Sequence, residues 1–271
     1  WENDREVPAE AKITIADLLR HTSGLTYGFF GTGYVRNFYK AREVSSRHQT
    51  LQQFVNKIAS IPLEHHPGRV WEYSRSVDVL GRVIEIVSGK PLQDYLKENI
   101  FTPLGMNETY FTGPWAPMDR VASSGLADWQ MRTADLEVPF KSGGGGLLST
   151  MADYITFCRM ILNGGRLGGH EVLKKSTVKL MTSNQLGDRP RGQWDGPGRG
   201  YGFGYGFAVR IDELAAYPGS IGDLWWGGYA GTYFWIDPAK QMIVVIMVQS
   251  TKKRRALRSL MRKLVYNALE E

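Results

Sequence analysis

Apolar residues fall into blocks of helical spacing over the first two thirds of the chain, and into alternating, strand-like runs over the last third. Residues 13–20 start a short helix; Thr14 followed by Asp17 has the form of a capping box, and Gly24 can end the element. Residues 27–39, rich in glycine and aromatics, read as a loop, and residues 51–58 return to helical spacing. After a turn at residues 65–68, Ser74 or Ser76 caps a helix through Val77, Leu80, Val83, Ile84 and Val87, which Gly89 stops. Pro91 opens the next helix at its first position, and that helix ends before Pro103. Residues 113–139 are irregular. Thr150, with Asp153 in the first turn, caps a helix reaching Leu162, and a shorter helix covers residues 175–181.

The character changes after the polar, Gly/Pro-rich stretch of residues 184–200. Residues 201–211 alternate as one strand does. Residues 232–236 and 242–249, joined by a turn at residues 237–240, read as a hairpin. A basic amphipathic helix closes the chain.

Composition narrows the class. Of 271 residues, 42% are hydrophobic and 22% charged, which is globular and not disordered. The single cysteine, Cys158, lies on the apolar side of a helix and reads as buried and structural; one cysteine excludes an intramolecular disulfide. The longest apolar run, residues 243–248, is far short of the roughly 20 residues a membrane span needs. The first residues are no signal peptide and lack an initiator methionine, so the chain is expected to begin after processing or truncation. Compartment is not readable. The net charge of +6 is concentrated in Lys252, Lys253, Arg254, Arg255, Arg258, Arg262 and Lys263. These are expected to form the solvated side of the last helix, with Leu257, Leu260, Met261, Leu264, Val265 and Leu269 facing inward. A nucleic-acid or anionic-membrane patch is the lesser reading.

Five phrases carry the chemistry, in this order. Residues 13–25 read Ile-Thr-Ile-Ala-Asp-Leu-Leu-Arg-His-Thr-Ser-Gly-Leu. Pro67-Gly68 follows, with Trp71-Glu72-Tyr73-Ser74 and Leu80-Gly81. Then come Pro103-Leu104-Gly105-Met106, Gly144-Gly145-Gly146 with Leu147-Leu148-Ser149-Thr150, and Trp226-Gly227-Gly228. The series resembles the serine β-lactamase-related family of class C β-lactamases, D-alanyl-D-alanine carboxypeptidases and family VIII carboxylesterases, over nearly the whole chain. The resemblance implies an α/β fold of the α+β type. An antiparallel sheet is flanked by helices beside a largely helical lobe, as in β-lactamases and transpeptidases. Residues 1–195 would form the helical lobe. Residues 196–271 would supply three or so strands and the last helix. The fold would be N-terminally incomplete.

The same resemblance implies a site. Family members attack with the serine of a Ser-x-x-Lys motif, use the tyrosine of a Tyr-x-Asn motif as general base, and line the site with a Lys-Thr-Gly strand that gives an oxyanion-hole N–H. Tyr73 matches the tyrosine, with Arg75 where the motif has asparagine. Trp226, Gly227 and Gly228 match the strand motif in its esterase form. Tyr229, next on the strand, would give the N–H. A tryptophan in place of lysine removes the cation that would hold a substrate carboxylate, which favours neutral esters over penicillins and peptides. Packing alone is the competing account of each residue.

The nucleophile is the exception. Ser176 with Lys179, and Ser250 with Lys253, spell Ser-x-x-Lys but lie too late in the order; Ser176 reads as a helix N-cap. Lys141-Ser142-Gly143 imitates the strand motif in the wrong place. The serine and lysine are expected from an upstream segment not in this chain, which alone would be inactive. Without that segment a sheet edge and an apolar face would be exposed, so poor solubility or a compensating contact follows, with the missing segment or a second copy as partner. None of the five histidines sits in a Gly-x-Ser-x-Gly setting, and His65-His66 lack further ligands at metal spacing. No metal, cofactor or nucleic acid is implied. The expected activity is hydrolysis of small esters, short-chain ones above all, through an acyl-serine. A non-catalytic fragment or pseudoenzyme, and a β-lactamase or carboxypeptidase, are the alternatives.

Overall fold

Thr14 begins the first helix as its spacing predicts. Its hydroxyl accepts the Asp17 N–H while the Asp17 carboxylate accepts the Thr14 N–H, closing a capping box on α1 (Ile15–Leu19). The computed structural model describes residues 5–113, 118–122, 138–194 and 196–269. Most of the stretch read as irregular, residues 113–139, lies outside the described residues. The chain divides into two compact units. The first comprises Trp1–Leu96, Val138–Gly146 and Leu186–Gly196; the second comprises Lys97–Glu137, Leu147–Gln185 and Pro197–Glu271.

The first unit is helical. After α1 come α2 (Tyr34–Ala41), α3 (Leu51–Ala59), α4 (Ser76–Ser88) and α5 (Leu92–Leu96). α2 lies inside the stretch read as a loop. It is too short for periodicity to reveal, and it holds because Val35, Arg36 and Tyr39 are buried along one side. α3 starts with a second capping box, Thr50 with Gln53. Neither serine is the N-cap of α4. Arg75 occupies that position, although the Ser74 hydroxyl still reaches the Ser76 N–H at 3.4 Å. Gly89, at φ +68°, ends α4 in the left-handed conformation. Pro91 stands just before α5 and not inside it, its carbonyl accepting the N–H groups of Asp94 and Tyr95. Phe54, Trp71 and Val44 are fully buried in this unit. Gly81 is required there, because a Cβ would come within 2.9 Å of Leu92 Cδ2.

The second unit opens with a π-helical turn (Lys97–Phe101) running into α6 (Thr102–Leu104), so the helix passes Pro103 instead of stopping before it. The wider turn accommodates a residue that has no N–H and whose ring would crowd the Asn99 carbonyl in α register. Two short pairs follow, β1 (Tyr110–Phe111) with β2 (Leu147–Leu148), and β3 (Arg166–Leu167) with β4 (His170–Glu171). Between them lies α7 (Met151–Leu162), capped by Thr150 as predicted, and after them α8 (Lys175–Met181). Cys158 on α7 is fully buried, and burial pushes its thiol up to about 12.

The main sheet has five antiparallel strands in sequential order: β5 (Tyr201–Phe203), β6 (Ala208–Arg210), β7 (Leu224–Gly227), β8 (Tyr233–Asp237) and β9 (Met242–Ile246). The run read as one strand, residues 201–211, is a hairpin, turned at Gly206 with φ +94°. The predicted β8–β9 hairpin forms with Asp237 opposite Met242. Successive residues of β8 point to opposite faces. Phe234 meets Tyr154 of α7 at 5.1 Å between ring centres, while Tyr233 and Trp235 lie under the arginines of α9 (Arg254–Asn267). The sheet is therefore flanked by helices on both faces.

α9 corrects the sequence reading. Arg262 is fully buried and Arg258 is half-buried, whereas Leu260 and Leu264 are each 54% exposed. The helix is rotated because its arginines find partners that leucine cannot. Arg262 pairs with fully buried Asp223 at 3.0 and 3.1 Å and stacks over Trp235 at 5.0 Å. β5 and β9 are the outer strands of the sheet. Among the described residues no helix is long and apolar enough to cross a membrane.

Candidate active site

Tyr73 stands in the first unit, on the extended stretch leading into α4. Its backbone is held from both sides. Trp71 N–H donates to Pro190 C=O and Gly192 N–H to Trp71 C=O, each at 2.9 Å, and Glu72 N–H donates to His21 C=O at 2.9 Å. His21 can present that carbonyl because it adopts φ +59°, a left-handed conformation that turns the chain sharply after α1.

The His21 side chain is buried and packs on Tyr73 with 4.7 Å between ring centres. Its Nδ1 accepts the Ser74 N–H at 3.3 Å and lies 3.3 Å from the Ser74 hydroxyl. Nδ1 is therefore the acceptor and the ring proton sits on Nε2. Burial pushes this histidine down to about 3, so it is neutral. A line of hydroxyls continues from Ser74 to Ser76 and on to Ser23, each step 2.7 Å. The His-Thr-Ser-Gly phrase and the Tyr-Ser-x-Ser phrase are thus two sides of one buried hydrogen-bonded seam.

Glu72 is 1% exposed and carries the other support. Its carboxylate accepts from Arg36 Nη2 at 2.6 Å, from the Thr26 hydroxyl at 2.9 Å and from the Gln193 N–H at 3.1 Å. Arg36 also pairs with Glu64. Burial alone would raise the Glu72 carboxyl; the neighbouring His65, the Thr26 hydroxyl and the Arg36 charge outweigh it and hold the group below its usual range. Around the half-buried Tyr73 ring lie Tyr27, Phe30 and Trp194, with centres 5.2, 6.3 and 5.0 Å away. Arg75, at the position of the motif asparagine, bonds Asp78 at 3.2 Å and Ser45 at 2.6 Å.

Asp78 also explains the glycine run. It accepts the Ser142 hydroxyl and the Gly144 N–H, and a Cβ on Gly143 would strike the Val77 carbonyl. The run presses its backbone on α4, and Ser142 is committed to that anchor. Ser176 lies inside the first turn of α8, whose N-cap is Lys174, so it is not the capping serine.

Trp226, Gly227, Gly228 and Tyr229 lie in the second unit. β7 ends at Gly227, which pairs with Tyr233. Tyr229 is therefore not on the strand, as the motif reading had it; it occupies the turn before β8 and is 56% exposed. The Gly228 N–H donates to Thr232 C=O at 2.8 Å, and the Tyr229 N–H has no acceptor among the described residues. Trp226 is half-buried, edge-on to Phe203 at 5.1 Å. Both glycines have packing reasons. A Cβ on Gly227 would come within 2.5 Å of the Arg258 guanidinium, and one on Gly228 would strike the Thr232 hydroxyl. Arg258 Nη2 donates to Gly228 C=O at 2.6 Å and Thr232 C=O at 3.0 Å, and Arg254 donates to Tyr229 C=O at 2.6 Å while lying over its ring. These two arginines were missed in the sequence. The signal was their repeat at Arg254, Arg258 and Arg262, four apart on one helix face opposite an aromatic strand. Among the described residues no group of three or more His, Cys, Asp or Glu could hold a metal ion.

A sequential antiparallel sheet with helices on both faces, in a chain that also carries a helical unit, is the architecture of the β-lactamase and transpeptidase type. A family model described as Beta-lactamase matches residues 4–266, and the chain belongs to that family, whose relatives include esterases and acyltransferases. It is similar to an uncharacterized protein of Mycobacterium tuberculosis, 34% identical over 261 residues, covering 91% of this chain and 64% of the relative. Esterase EstB of Burkholderia gladioli is 29% identical over 258 residues, covering 89% of this chain and 66% of EstB. Among solved structures, EstCE1, described as a hydrolase with promiscuous acyltransferase activity, superposes with a TM-score of 0.69 at 25% identity, covering 89% of this chain and 68% of that one. The chain thus spans about two thirds of the length of these relatives.

Proposed function

We propose that the chain carries the base and the oxyanion-binding turn of a serine carboxylesterase acting on short-chain esters. The serine and lysine come from a segment outside residues 1–271. The Tyr73 phenolate takes the serine proton as the serine oxygen adds to the ester carbonyl carbon, and the carbonyl electron pair moves onto oxygen. The Tyr229 N–H stabilises that oxyanion, and the proton passes to the departing alkoxide. Water then repeats the sequence on the acyl-serine and releases the acid.

The observation that carries the esterase reading is the character of the third motif. Trp226 presents an indole packed on Phe203 where a carboxylate-binding cation would stand. The nearby Arg258 is turned to the opposite face and committed to two carbonyls. The likeness to esterase EstB supports the same reading. The exposed leucines of α9 and the outer edge of β9 offer a surface for the missing segment or a second copy.

The test uses the full-length gene product with a short p-nitrophenyl ester. Tyr73→Phe lowers kcat by about 10²–10⁴. Hydrolysis surviving that change intact removes Tyr73 from the mechanism, and faster turnover of a chromogenic cephalosporin than of the ester overturns the esterase assignment. Absence of an upstream Ser-x-x-Lys from the gene leaves the non-catalytic reading.

A further inference from the structure

The turn between β7 and β8 has its carbonyls committed to donors from α9 and the residues before it. The Ser250 N–H donates to Ala230 C=O at 2.6 Å, and Arg254 donates to Tyr229 C=O at 2.6 Å. Arg258 Nη2 bridges Gly228 C=O at 2.6 Å and Thr232 C=O at 3.0 Å. The Tyr229 N–H has no acceptor among the described residues. The turn therefore offers a hydrogen-bond donor next to carbonyls that are already engaged.

We propose that Arg258 is a positioning residue for the oxyanion site: by holding the Gly228 carbonyl it orients and polarises the Gly228–Tyr229 peptide, so that the Tyr229 N–H points away from the guanidinium and toward the reacting ester. The inference rests on the reading of Tyr229 as oxyanion donor. The Gly228–Tyr229 bond is trans, and in a trans peptide the C=O of one residue and the N–H of the next lie in one plane and point in opposite directions. A donor fixed on the Gly228 oxygen therefore fixes the Tyr229 N–H as well. The Gly231 N–H also reaches this oxygen, at 3.2 Å; the guanidinium, charged and at 2.6 Å, is the stronger hold. Hydrogen bonds along a chain polarise one another, so a cation on the oxygen makes the N–H a better donor. A peptide turned the other way would present its carbonyl dipole to the oxyanion, with the wrong sign for stabilising it.

Arg258 differs in this from Arg262, one turn further along α9. Arg262 is paired with the Asp223 carboxylate. Among the described residues no carboxylate pairs with Arg258, and its Nε has no acceptor. Its charge is directed at the two carbonyls. Gly227 gives it access, since a Cβ there would come within 2.5 Å of the guanidinium carbon. The first glycine of the motif is thus the room for the arginine that aims the peptide after the second.

The full-length gene product with a short p-nitrophenyl ester tests this. Arg258→Met is expected to lower kcat about 10- to 10²-fold with KM held within about twofold, because an oxyanion donor acts on the transition state more than on the bound ester. Affinity for an alkylboronic acid, which forms a tetrahedral anion on the serine, should fall by the same factor, and Arg258→Lys, which keeps a cation and a donor, should restore part of the rate. Should Arg258→Met fail to fold, Arg258→Gln, which keeps a neutral donor, carries the test with kcat lowered about threefold or more and KM unmoved. An unaltered kcat in the folded variant overturns the proposal. So does a rise in KM alone, which would place the arginine on substrate. Failure of the Tyr229 assignment reads differently. Replacing Tyr229 by its α-hydroxy acid deletes that N–H, and an intact kcat there means that Tyr229 is not the oxyanion donor. Loss of kcat there, beside an unaltered Arg258 variant, overturns the positioning role alone.

Discussion

The surroundings of Tyr73 and the turn at Trp226–Tyr229 reach the same end by opposite means. In the first unit a buried carboxylate, Glu72, gathers donors from Arg36, Thr26 and the Gln193 backbone, and a neutral histidine supports the next residue. The motif segment itself brings the anion, and the cation comes to it. In the second unit the motif segment brings only carbonyls and aromatic rings, and two arginines of one helix, Arg254 and Arg258, come to clamp them. Backbone conformation follows. Tyr73 needs a left-handed histidine beside it, whereas the turn needs two glycines because arginine and threonine side chains occupy the space. A motif of this family can therefore be held from within its own phrase or from a distant helix.

The largest break in that comparison is Arg262→Met. It leaves Asp223 buried without its partner, and denaturant unfolding should show a loss of about 3–5 kcal/mol. The corresponding change in the first unit is milder. Glu72→Gln keeps the shape and an acceptor oxygen while weakening the bond to Arg36, which retains Glu64, so the same measurement should register about 2 kcal/mol. Gly227→Ala pushes a methyl against the Arg258 guanidinium. It should cost on the order of 1–2 kcal/mol, and should lower esterase activity of the full-length protein more than Glu72→Gln does if the turn places the oxyanion donor.

The effect that is smallest at neutral pH is a pH slope. His21 titrates near 6.5 unfolded and near 3 folded, so the unfolded chain takes up the proton first. The contribution of this residue is complete above pH 6.5 and is lost as pH falls toward 3, by at most about 1.4 kcal/mol per pH unit. His21→Asn, which tolerates the left-handed backbone, should flatten that slope between pH 6.5 and 5. An unchanged slope would mean that other buried groups govern acid sensitivity.

Local signals fared well where the chain solves its own problem nearby. Thr14 and Thr150 cap the helices they were expected to cap, and Gly89 ends α4. The β8–β9 hairpin forms at its predicted turn because both partners lie within a few residues. Motif order also pointed to the family, since five phrases in sequence are a global signal carried by local words. Local reading failed where a short segment depends on remote partners. α2 is too short to show a period, and the strand read through Gly206 folds back on itself because tertiary pairing with β7 demands it.

The sequence by itself determined the family, the helical character of the first half, the strand-rich end and the identity of Tyr73 and Trp226 as candidates. Tertiary structure alone decided which face of α9 turns inward. Hydrophobicity ranks a leucine above an arginine for burial, but a ranking by residue type omits the carbonyls, carboxylate and rings that make the arginine the better fit.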